Sequence, residues 1–242
     1  MSDDVLRVLD ARAARHEPAL LWWRDDDATV PTPALDQLLE IAAQYQVPVT
    51  LAVIPATTGD ALARRLDTAP LAHVAVHGWS HTNHAPATEK KQELGAQRPQ
   101  DTVMAELAAG LAKLSDLHGA RMVPVLVPPW NRIAPEVLPG LGPLGFRAVS
   151  VFGPAAETAP VPQINTHVDL IDWRGTRGGR SEADLMAELA MALALPGDAP
   201  IGILSHHLVH DAAAWSYLVT LFGLTRDHPG CRWVGLPDLL PA

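Results

Sequence analysis

Sulfur is nearly missing from these 242 residues: there is one cysteine, Cys231. A lone cysteine cannot form an internal bridge and fits a reducing compartment. Any metal ligands must therefore be sought among histidines and carboxylates. Basic charge is also scarce, with 18 Lys and Arg against 27 Asp and Glu and a net charge of −9. That balance excludes the basic face of a nucleic-acid binder. No run approaches the roughly 18 apolar residues of a membrane span. The opening MSDDVLRVLDARAARHEP is acidic and has no signal-peptide apolar stretch. The expectation is a cytoplasmic, globular protein with no nucleic-acid or membrane partner. What is abundant is proline (22), histidine (11) and apolar residues, at 48%. The length suits one domain over residues 1–242, because α/β barrels of about 250 residues form single units.

Short apolar runs alternate with longer amphipathic stretches. Strands are expected at Ala19–Trp23, Val47–Ile54, Leu71–Val76, Met122–Val127, Phe146–Val151, Val168–Ile171, Ile201–Leu204 and Arg232–Val234. Helices are expected at Pro33–Tyr45, Gly59–Leu66, from Asp101 as cap to Leu117, at Glu136–Leu141, from Ser181 as cap to Leu195, and at Asp211–Leu224. Two connections stand out, the polar segment Gly78–Gln100 and the proline-rich Pro154–Pro162. Repeated strand–helix units predict a parallel β/α architecture. The polar clusters follow the apolar runs: DDD after ALLWW, HGWSH after LAHVAV, PPWN after VPVLV, SHH after IGIL. In a β/α barrel such strand ends converge on one face, where active sites lie.

His77 and His81, four apart, share one face of a helical turn, which suits two imidazoles on one metal or else a solvated pair. Asp25, Asp26 and Asp27 repel one another, so they call for a cation or form a solvated acidic loop. One carboxylate with two histidines leaves open positions, as hydrolytic metal sites require. His206 is a candidate general acid, and His206 with His210 is an alternative metal pair. Trp130 and Trp173 are candidate walls of a small apolar pocket, or ordinary packing residues.

Together these clusters resemble the polysaccharide deacetylases (the NodB-homology superfamily, carbohydrate esterase family 4). The resemblance runs in order through Arg24-Asp25-Asp26-Asp27-Ala28, His77–His81, Val127-Pro128-Pro129-Trp130-Asn131, Asp172-Trp173 and Leu204-Ser205-His206. It implies a distorted (β/α)7 barrel and a divalent metal, usually zinc, on Asp27, His77 and His81. Asp26 would accept the proton of metal-activated water, and His206, oriented by Asp172, would protonate a departing amine. Pro129, Trp130, Trp173 and Arg174 would contact the substrate. The other register would make Asp25 and Asp26 the base and ligand. The implied activity is metal-assisted removal of an N-acyl group, first of all N-acetyl, from a sugar-like substrate.

The match has departures. Val127 stands where the family has an arginine that positions its catalytic aspartate, and Arg24 and Arg132 are the spatial substitutes to consider. Without a substitute, the chain would be a degenerate barrel that binds a glycan or serves as a scaffold. A hydrolase of another non-peptide C–N bond is a further alternative. The loop DWRGTRGGR (Asp172–Arg180) is arginine-rich, either as a solvated loop or as a recognition element for an anionic substrate through forked guanidinium groups.

Overall fold

The apolar runs expected to be strands are strands, and every ladder between them is parallel. The computed structural model describes residues 2–156 and 158–241. Its strands are β1 (Ala19–Ala28), β2 (Val49–Val53), β3 (Ala72–His77), β4 (Met122–Val127), β5 (Ala148–Val149), β6 (Thr166–Asp169), β7 (Ile201–Ser205) and β8 (Cys231–Trp233). They pair in the order β5-β4-β3-β2-β1-β7-β6, with β8 alongside the start of β1. The sheet curls until its edges meet through parallel bridges Val149–Gln163 and Phe152–Thr166. This is the distorted barrel that the sequence predicts.

The helices are α1 (Ser2–Ala14), α2 (Pro33–Tyr45), α3 (Asp60–Leu66), α4 (Gln100–His118), α5 (Leu138–Leu144), α6 (Glu182–Ala194) and α7 (Ala212–Thr225). Local chemistry explains their starts. The side chains of Thr32, Ser181 and Asp211 accept from the backbone N–H of Leu35, Asp184 and Ala214, satisfying donors that a first helical turn leaves free. Asp101 does not cap α4; Pro99 precedes the helix and Asp101 sits inside its first turn. β6 begins two residues before the expected Val168. Helix α1 escaped the sequence reading, because its charged residues mask a narrow apolar edge of Val5 and Leu9.

Strand alternation sorts the core into two layers. Leu21, Trp23, Leu51, Val53, Val74, Val76 and Leu126 face outward against the helices. Trp22, Ala52, Ala75, Val125, Val127 and Ala148 form an inner cluster, to which Val234 and Leu236 add from the chain's last segment. Small residues at 52, 75 and 148 leave space for the Trp22 ring. Arg24 and Asp26 continue the inward phase of Trp22, while Asp25 continues the outward phase of Trp23. Among the described residues, no helix is long and apolar enough to cross a membrane.

Candidate active site

The end of β1 departs from regular pairing. Asp25 pairs with Leu51 but Ala28 pairs with Val53, so β1 carries one extra residue there. Such a bulge re-aims side chains. Asp27 takes the left-handed φ of 75°, and both Asp26 and Asp27 reach the same end of the barrel.

Asp27 Oδ1 lies 3.1 Å from His77 Nε2 and 3.3 Å from His81 Nε2. These three residues form a trio whose ligand atoms all lie within 4.8 Å of one another. His77 Nδ1 donates to the Val127 carbonyl at 2.9 Å, which leaves Nε2 facing Asp27 and is the usual arrangement of a metal-binding imidazole. Burial alone would raise the Asp27 pKa, but the His77 hydrogen bond and the surrounding imidazoles hold it far below the carboxylate range. Burial lowers the basicity of His77, and its bond to Asp27 with the charges of Asp26 and Asp27 outweighs that effect and raises it. Burial, then the neighbouring His77, lowers the His81 pKa. One ionised carboxylate oxygen and two imidazole nitrogens are a donor set that fits zinc or a similar divalent cation. The two histidines meet through a tight irregular turn, with positive φ at Gly78 (57°) and His81 (56°), and not through the helical turn that their spacing suggests.

Of the two candidate arginines, Arg24 is the one that meets Asp26. Its Nη2 donates to Asp26 Oδ2 at 3.1 Å, and Nε stands 2.9 Å from Asp26 Oδ1 in ionic contact. Nη2 also donates to Asn131 Oδ1 (2.7 Å), and Nη1 donates to Ser150 Oγ (2.7 Å) and its carbonyl (3.1 Å). Both Arg24 and Asp26 are buried. Asp26 Oδ1 accepts no well-directed hydrogen bond; its close partner is Arg24 Nε in that ionic contact. Across from it, His206 Nε2 lies 3.9 Å from Asp26 Oδ2. Arg132 turns away and donates to the Lys91 carbonyl.

No protein-family model matches the chain, and no curated protein matches it in sequence. Solved structures do match over nearly its whole length. The Bc1960 peptidoglycan N-acetylglucosamine deacetylase, solved with a hydroxamate-type ligand, superposes with a TM-score of 0.62 at 18% identity, covering 93% of this chain and 89% of that one. A family 4 carbohydrate esterase from Streptomyces lividans, in complex with acetate, gives 0.59 at 15% identity, covering 88% and 91%. The fold is that of the family 4 carbohydrate esterases. A family 4 acetyl xylan esterase from Clostridium thermocellum, in complex with a cobalt ion, is similar as well, with a TM-score of 0.57 at 16% identity over 91% of this chain and 89% of that one.

On this family 4 esterase fold, most of the expected residues gather. Trp130 packs at a tilt of 54° against His81 with ring centroids 4.3 Å apart, and Pro129 is buried beside Gly78. Trp173, 43% exposed, meets His206 edge-on at 4.7 Å. Arg174 follows it, exposed on the same loop.

One assignment needs correcting. Asp172 does not orient His206: its oxygens accept the backbone N–H groups of Gly175 and Thr176 and so close a surface turn. Asp169, at the end of β6, is a carboxylate that does interact electrostatically with His206, as Asp26 and Asp27 also do. Asp169 also accepts from Trp173 Nε1 at 3.0 Å. Burial raises its pKa against the opposing pull of His206. In DLIDW the strand phase ends at the first aspartate, and the second falls in the turn.

Asp25 has a different partner set on the outer side of the barrel. Its Oδ2 accepts from Ser205 Oγ (2.6 Å) and His207 N–H (2.9 Å), and Oδ1 pairs with His207 Nδ1. The three-aspartate run thus divides by direction: Asp27 toward His77 and His81, Asp26 toward Arg24, Asp25 toward His207. In sequence Asp25 belongs to the alternative register of the base and ligand pair, and His207 is a histidine without a proposed role.

Proposed function

We propose that the chain is a metal-dependent hydrolase that removes an N-acyl group, N-acetyl foremost, from a sugar-like amine. The observation that carries this reading is the pairing of Asp26, held by Arg24, with His206, 3.9 Å away, beside the Asp27–His77–His81 trio. Asp27, His77 and His81 would hold a divalent cation, zinc in this reading, which when bound would supply Lewis acidity to acidify water and polarise an acyl carbonyl. The chain's residues handle the protons. Asp26, oriented by Arg24, takes a proton from the attacking water. His206 then delivers a proton to the amine nitrogen as the C–N bond breaks, giving a carboxylic acid and a free amine. Trp130 and Trp173 present flat apolar faces on either side, suited to an acyl methyl group and a sugar ring.

The degenerate-binder alternative rested on Val127, and Arg24 now meets that objection. A hydrolase of another C–N bond would use the same groups, so a substrate panel separates the two. Arg174 and Arg177 are exposed on the loop beside Trp173, which supports an anionic group on the substrate. Arg180 does not belong with them, because Glu188 and the Asp169 carbonyl hold it.

The test is release of acetate from N-acetylated amino sugars by zinc-loaded protein. Asp26→Asn should lower turnover by about 10²–10⁴-fold, the usual contribution of a general base, with zinc retained. Full turnover in Asp26→Asn, or none in wild type across phosphorylated, uronic and neutral acetamido sugars, contradicts the reading.

A further inference from the structure

The polar segment after β3 carries a buried carboxylate with no place in the reaction above. Glu93 is fully buried. Its Oε1 accepts from the Ser80 N–H (2.7 Å) and Ser80 Oγ (2.9 Å), and its Oε2 accepts from the Trp79 N–H (3.2 Å). These donors belong to the residues between His77 and His81. Among the described residues, no basic side chain pairs with Glu93. A buried carboxylate held only by neutral donors is costly unless positive charge lies nearby.

Glu93 reaches this place because its neighbour is anchored. Leu94 is fully buried in the core, bridges to Ile133, and accepts from the Ala134 N–H at 2.8 Å. The opposite side of the turn is cut to fit. A Cβ on Gly78 would stand 2.1 Å from Glu93 Oε2 and 2.7 Å from the Pro129 ring. Gly78 also needs its left-handed φ of 57°. The glycine and the glutamate therefore work as one unit, since any side chain at 78 would displace the carboxylate.

We propose that Glu93 is the positioning residue of the metal turn: it fixes the backbone between His77 and His81 and directs negative charge toward the cation that Asp27, His77 and His81 hold. The hydrogen bonds to Trp79 and Ser80 hold the turn between Gly78 and His81, the two residues with left-handed φ. The bound cation in turn offsets the buried charge of Glu93. This inference rests on the metal reading of the trio but not on the identity of the substrate.

The experiment is a zinc titration of metal-free protein against a chromophoric chelator. Glu93→Gln keeps the size, removes the charge, and turns an NH₂ group toward backbone donors. It should weaken zinc binding by about 10- to 100-fold, the range for residues that support a ligand shell. Ser80→Ala deletes one donor at a partly exposed site, so it should fold even if Glu93→Gln does not. It should weaken binding in the same direction by a few-fold. A purely structural role would lower the thermal midpoint of Glu93→Gln while the folded protein kept wild-type affinity. Wild-type affinity in Glu93→Gln or, should that variant not fold, in Ser80→Ala overturns the proposal alone. Failure of wild-type protein to bind zinc overturns both it and the metal reading.

Discussion

Arg24 and Asp26, two residues apart on one strand, meet inside the barrel with Arg24 Nε 2.9 Å from Asp26 Oδ1. Successive inward positions of a strand lie on the same face, so a long guanidinium can fold along the strand onto its i+2 neighbour. Asn131 and Ser150 accept its remaining donors, and Val127, at the end of β4, packs in the inner apolar cluster. Arg24→Met should leave Asp26 as a buried, unpaired charge, costing about 3–5 kcal/mol. The thermal midpoint should then fall by on the order of 10 °C. Turnover should drop much further than zinc affinity. An equally active Arg24→Met would remove the positioning role.

Asp25 separates the two registers of the aspartate run. Burial raises its pKa, but the charge and hydrogen bond of His207 reverse this and hold it low. Asp25→Asn should destabilise the fold by about 3–5 kcal/mol, since His207 loses its buried partner. Its zinc affinity should remain within a few-fold of wild type, whereas Asp27→Asn should lose zinc. The reverse pattern in a chelator titration would make Asp25 part of the ligand set.

Much of this arrangement is legible in the sequence, and the reason is physical. β-branched runs that stop at clustered Asp, His and Pro mark strand ends, and parallel strand ends share one face. That the aspartate run, His77, His81 and His206 share one face follows from this; which aspartate joins the two histidines is implied only by the resemblance to the family. Asp169 is not legible, because two aspartates three apart are equivalent until the end of β6 decides which one keeps the strand's phase. Nor is Glu93, which lies among Glu89, Lys90, Lys91 and Gln92 in a stretch whose composition reads as solvent-exposed. Its burial follows from Leu94 docking far along the chain, a tertiary event without a local pattern. Arg24 and Arg132 were equal candidates by type; only the inward phase of β1 distinguishes them.

Acid should weaken the fold through His210. Burial pulls its pKa down to about 4, with the charge of Asp25 opposing and His207 and His206 adding to the fall. Its Nε2 accepts from the His206 N–H at 3.3 Å, and its ring packs edge-on against Trp215. The folded pKa lies below the unfolded value, so the unfolded chain binds the extra proton first. Stability is therefore full above the unfolded value of about 6.5 and falls as pH drops toward 4, by on the order of 3 kcal/mol from this ring. Denaturant unfolding of wild type and His210→Gln across this window checks it. The variant, which cannot titrate, should show the shallower loss; equal slopes would rule out His210 as the origin.

Charge reversal at Arg174 and Arg177 tests the substrate's charge. The double variant Arg174→Glu, Arg177→Glu should raise KM for a phosphorylated or uronic N-acetyl sugar by about tenfold or more, as expected for loss of guanidinium–anion contacts. KM for a neutral one should stay near wild type. Both side chains are exposed, so the fold should be unaffected. Equal KM values for wild type and variant on the anionic substrate would assign the loop no recognition role.

The most direct measurement is the zinc content of purified, zinc-reconstituted protein, comparing wild type with His77→Ala, His81→Ala and Asp26→Asn. A single site on Asp27, His77 and His81 predicts about one zinc per chain in wild type and in Asp26→Asn, and a large loss in both histidine variants. Wild-type protein that holds no zinc, or histidine variants that hold as much as wild type, would contradict it.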